Sequence, residues 1–131
     1  STSGCTGEHA MEHSLSALHP DLTHGAGLIM LSKAYFKTFK NDMMKRYMKM
    51  AEKMTQRKSA RPGDFLDALA IMKRECKVDH LRLKDFGFTV ADVDTLTDNC
   101  IATGTMMLDS DPRFLNREEI ANIFTEAIIE D

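Results

Sequence analysis

Four of the chain's five histidines, His9, His13, His19 and His24, crowd into one short stretch near its start. Imidazole is the commonest neutral metal ligand and the usual acid or base near neutral pH, so this crowding points to chemistry more than to packing. His9 and His13 are four residues apart and would share one face of a helix, while His24 would arrive from the following loop. Together they can offer two or three nitrogens to one divalent cation. The pattern is not H-E-x-x-H, because Ala10, Met11 and Glu12 separate the first pair. Glu8 and Glu12 are the nearby carboxylates, but they read as lying on other helix faces, so no complete four-ligand site is evident. On spacing alone, metal binding and surface or capping histidines stand about equal.

The elements that must position these residues all read as helices. From about Cys5 to Leu18 the apolar residues Ala10, Met11, Leu15 and Leu18 recur at helical spacing, and His19-Pro20 ends the run. A second helix is expected to open near Thr23-His24-Gly25 and to continue to Phe36, apolar on nearly every side of its first half and so buried all round. A third spans about Asn41 to Arg57, with Met43, Tyr47, Met50 and Met54 forming a core stripe opposite Lys45, Arg46, Lys49 and Lys53. Pro62 suits the first position of a fourth helix, carried by Phe65, Leu66, Leu69, Ile71 and Met72 to about Lys77. The segment Val78 to Phe88 reads as a loop with Leu81, Leu83 and Phe86 pinned to the core. Thr89 and Asp92 signal a fifth helix running to about Thr103, and Asn116 with Glu119 forms a capping box for the last. No strand, repeat or linker interrupts the pattern, so residues 1–131 are expected to form a single all-α domain, a multi-helix bundle.

The totals narrow the function. Hydrophobic residues at 43% and charged residues at 28% suit a globular core, and 131 residues suit one domain. A net charge of -3 gives no general attraction to nucleic acid, and Tyr47, the one aromatic among the bases of the third helix, belongs to the core stripe. No apolar run reaches the roughly 18 residues of a membrane span. The scattered Cys5, Cys76 and Cys100 suit reduced, mostly structural thiols and a cytoplasmic setting. The Asp109-Ser110-Asp111 run fails as an EF-hand loop, since Phe114 stands where glycine is needed and Ile120 where the closing Glu is needed.

The stretch from Gly7 through Ala17, with His24-Gly25-Ala26-Gly27-Leu28, resembles the histidine signature of the iron-containing alcohol dehydrogenases. Thr103-Gly104, Asp111-Pro112 and the capped last helix are also similar to the end of those proteins, whose metal sits in a C-terminal all-helical domain. The resemblance implies that His9 and His24 are metal ligands, for Fe2+ or Zn2+, and that His13 is a catalytic residue lining the substrate pocket. It implies reversible oxidation of a small-molecule alcohol to an aldehyde or ketone by NAD or NADP. His19, in a loop about one residue longer than in the family, is the lesser candidate for a ligand. The family's other two ligands, an Asp and a His on an earlier helix, and its N-terminal nucleotide-binding domain have no counterpart in these residues. The chain therefore reads as a C-terminal fragment of a longer dehydrogenase, inactive and a weak metal binder by itself, and able to self-associate into a homo-oligomer. The alternative is a stand-alone helical interaction or regulatory domain with a partial metal site.

Overall fold

The computed structural model describes residues 7–108 and 112–130, with side chains given outside 104–108. Six helices make up the described chain: α1 (Gly7–Leu18), α2 (His24–Thr38), α3 (Met44–Thr55), α4 (Gly63–Glu75), α5 (Val93–Leu108) and α6 (Arg117–Ile129). Helix α1 packs on α5 and α2, α2 on α6 and α4, α3 on α4, and α5 on α6. There is no strand among the described residues, and no helix is long and apolar enough to cross a membrane.

The rotation of α1 follows from its apolar positions. Ala10, Met11 and Leu15 are buried to 1% exposure or less, and the Ser14 hydroxyl, buried with them, donates to the Leu96 carbonyl of α5 at 2.6 Å. At about 100° per residue His9 and His13 then fall on the far side of the helix from Met11 and Leu15. The turn after α1 is closed by Leu22 N–H donating to the His19 carbonyl at 3.0 Å, with the Leu22 side chain buried. That burial returns the chain so that α2 begins against the histidine side of α1.

Local signals survive well. Asn116 Oδ1 accepts from Glu119 N–H at 2.9 Å while Glu119 accepts from Asn116 N–H at 3.1 Å, the reciprocal cap expected for α6. Thr89 N–H donates to Asp92 at 2.9 Å, and this box opens a 3-10 turn, Val90–Asp92, that runs directly into α5. Helix α5 continues past Thr103 to Leu108, because Gly104 costs a helix only about 1 kcal/mol and offers no competing cap. Helix α3 is shorter than expected and stops where Gln56 takes a left-handed conformation, φ 57°. Pro62 stands one residue ahead of α4 instead of inside it.

Long-range burial departs further from expectation. Phe86 is 39% exposed, and Phe88 takes the core position instead. The reason is Gly87: at φ 94° it reverses the chain after the 3-10 turn Leu83–Phe86, so Leu83 and Phe88 face inward and Phe86 faces out. Helix α2 is not covered all round, since His24 and Gly25 are exposed and Leu28 and Ile29 half-buried; its outer side has no neighbour among the described residues. Met54, Ile71 and Met72 are exposed too, because α3 and α4 pack chiefly on each other, whereas Tyr47 is buried as expected. Cys100 is a buried thiol, but Cys76 is exposed and free, so its role is not packing. Cys5, Asp109, Ser110 and Asp111 lie outside the described residues.

Candidate metal centre

The first residue of α2 lands between two residues of α1. The His24 ring lies 5.3 Å from that of His9 and 5.8 Å from that of His13, centroid to centroid. Three of the histidines singled out by spacing therefore converge. His19 does not join them: its ring packs edge-on against Phe88 at 4.5 Å and faces Gly87.

The carboxylate at Glu12 corrects the reading from spacing. Glu12 is 1% exposed, and its Oε1 lies 2.5 Å from Nδ1 of His24. On the helix Glu12 sits only about 60° round from His9, so a side chain arriving from α2 between them can touch both. Glu8 and Glu12 were expected to flank the histidines on other helix faces; for Glu12 the crossing of α1 and α2 brings the His24 ring onto it. One ligand atom each from Glu12, His13 and His24 lies within 4.8 Å of the others. His9 is outside that set although its ring is nearer to His24, so both α1 imidazoles flank the same partner.

His9 brings an unpaired ring nitrogen. Its Nδ1 is buried with no hydrogen-bond partner among the described residues. Burial first, then the neighbouring His24 and His13, hold its pKa below the ordinary imidazole value, against an opposing pull from Glu12. A neutral imidazole with an unshared lone pair is the form that binds a cation, and imidazole ligands suit a divalent first-row metal. The donors present fit the expected group.

A separate cleft of about 400 Å³ opens between α2, α4 and the end of α6, with Ile29, Leu66, Lys73, Arg82 and Glu130 among its walls. Burial lowers the Lys73 pKa there, Glu130 opposing, but none of the histidines lines this cleft.

The domain is all-helical and gathers histidines from one helix and the start of the next beside a buried carboxylate. Residues 1–128 match the family described as Fe-containing alcohol dehydrogenase, C-terminal, and the chain belongs to that family. None of the curated proteins compared with the chain matches it. Its fold is similar to that of an archaeal halo-thermophilic alcohol dehydrogenase from a Red Sea brine pool, at TM-score 0.82 and 21% identity over 93% of this chain and 32% of that one. It is also similar to the NADH-dependent butanol dehydrogenase A of Thermotoga maritima, at TM-score 0.74, 26% identity and the same coverages of 93% and 32%. A 1,3-propanediol oxidoreductase gives TM-score 0.74 and 25% identity, again over 93% and 32%. The chain spans about a third of the length of these solved relatives.

Proposed function

We propose that the chain is the metal-bearing helical part of an NAD(P)-dependent alcohol dehydrogenase that interconverts an alcohol and an aldehyde or ketone. The observation that carries this reading is the convergence of His9, His13 and His24 across α1 and the start of α2. Family membership and the alcohol and diol dehydrogenases among the similar folds support it. His9 and His24 hold a divalent metal, Fe2+ or Zn2+. When bound, the metal supplies Lewis acidity that makes an alcohol hydroxyl easier to deprotonate. His13, exposed beside His24, is placed to orient the substrate or pass its proton to solvent. The remaining ligands, an Asp and a His on an earlier helix, and the nicotinamide site of a nucleotide-binding domain lie outside these residues, so residues 1–131 by themselves bind metal weakly and do not oxidise an alcohol.

The roles separate experimentally in the complete protein. His9→Ala and His24→Ala should remove bound metal, read by elemental analysis, together with alcohol-dependent reduction of the nicotinamide. His13→Ala should keep its metal while the rate falls by about 100-fold or more, the usual worth of a positioned acid or base. Stoichiometric metal in both His9→Ala and His24→Ala would overturn the assignment.

A further inference from the structure

The Glu12 carboxyl group is almost wholly excluded from solvent, at 1% exposure, and each of its oxygens has one partner. Ser16 Oγ donates to Oε2 at 2.6 Å from the next turn of α1, and His24 Nδ1 meets Oε1 at 2.5 Å from α2. A buried acid is costly unless its oxygens are taken up in this way. The His24 ring is half-exposed, at 50%, and its bond to Glu12 is its one hydrogen bond among the described residues. Thr23 before it makes no side-chain cap that would restrain the start of α2. Besides the rings of His9 and His13 beside it, the bond to Glu12 is what holds the orientation of this ring.

The helix backbones are shaped around the same group. A Cβ on Gly27 would stand 2.7 Å from both Cγ and Oε2 of Glu12, closer than real Cβ contacts come. Glycine at position 27 lets α2 lie against the carboxyl group, and this close approach carries His24, one turn back, onto Oε1.

We propose that Glu12 is a positioning residue for His24: its carboxylate accepts a hydrogen bond from Nδ1–H and so leaves the Nε2 lone pair free to bind a metal, with Gly27 as the gap that admits it. This rests on the reading of His24 as a ligand. An acceptor on one ring nitrogen sets the tautomer and orientation of the other, and loss of such a partner typically costs 10–100-fold in metal affinity.

The test uses the complete protein. In the metal-free form under mildly alkaline conditions, 15N NMR should find His24 mainly as the Nδ1–H tautomer. Glu12→Leu, which offers Nδ1 no acceptor, should shift it toward Nε2–H and weaken Zn2+ binding, measured against a competing chelator, by about 10–100-fold. Gly27→Ala should do the same with the carboxyl group still present, which separates displacement from loss of charge. Ser16→Ala, which spares the His24 bond, should retain the Nδ1–H form. A wild-type tautomer ratio and undiminished Zn2+ affinity in both Glu12→Leu and Gly27→Ala, with folding intact by circular dichroism, would overturn the proposal. If the tautomer follows Glu12 while His24→Ala leaves Zn2+ affinity unchanged, the hold of Glu12 on the ring stands and the ligand role of His24 falls.

Discussion

Glu12 and Asp64 are both carboxyl groups surrounded by donors, and they behave oppositely. Asp64 Oδ2 accepts from the Ser59 hydroxyl at 2.9 Å and from the amides of Ala60 and Arg61 at 3.0 and 3.3 Å, all from the loop that leads into α4. Every partner is within five residues, and the cluster closes one exposed turn. Glu12 is buried, and its second partner comes from a different helix, twelve residues on. The local cluster stabilises its own loop. The buried one couples two helices and determines how an imidazole is presented. A carboxyl group gains a role in the site when its partners come from separate elements, because only then does it fix their relative placement.

The largest break in this contrast is Glu12→Ala, which removes the acceptor of both donors and empties a closed site. Destabilisation of about 2–3 kcal/mol is expected from urea unfolding, the sum of lost hydrogen bonds and a small cavity. Asp64→Asn should have the smaller effect and should reveal itself through pH. The Ser59 hydroxyl first, then the Ala60 and Arg61 amides and the Arg61 charge, hold the Asp64 carboxyl below the usual carboxylate range, against desolvation. A depressed folded-state pKa contributes stability that is complete above the unfolded value of 3.8 and is lost as pH falls through the folded one. Unfolding midpoints followed into acid should therefore decline less steeply in Asp64→Asn than in the parent. The smallest expected effect sharpens the role of Gly27: Gly25, two residues earlier, has nothing within 4 Å of a Cβ. Gly25→Ala should stabilise the chain by about 0.5 kcal/mol through helix propensity, read as a higher urea midpoint.

Much of this molecule was legible where cause and effect are close in sequence. The Asn116–Glu119 and Thr89–Asp92 boxes, the all-helical pattern and the shared face of His9 and His13 depend on neighbours within one or two turns. The third helix showed its buried Tyr47 for the same reason, since a 3.6-residue period separates it from the lysines. Phe86 and Ile71 misled because being apolar does not say which face finds a neighbour. Glu12 was misjudged in the same way: its position on α1 was readable, but what α2 would bring to it was not. The signal was present in a small residue, Gly27, three positions after a histidine, which has meaning only once α1 is known to lie against it.

The helices, their caps and the set of imidazoles from which a metal site can be built follow from the order of residues, because helical period and capping are properties of adjacent residues. The tertiary structure alone decided that His24 lies between His9 and His13, that His19 turns away onto Phe88, and that Glu12 takes hold of the His24 ring. Those choices depend on the crossing of α1 over α2. That crossing is set by the burial of Met11, Leu15 and Leu22 and by the missing side chain at Gly27, contacts that no spacing along the chain records.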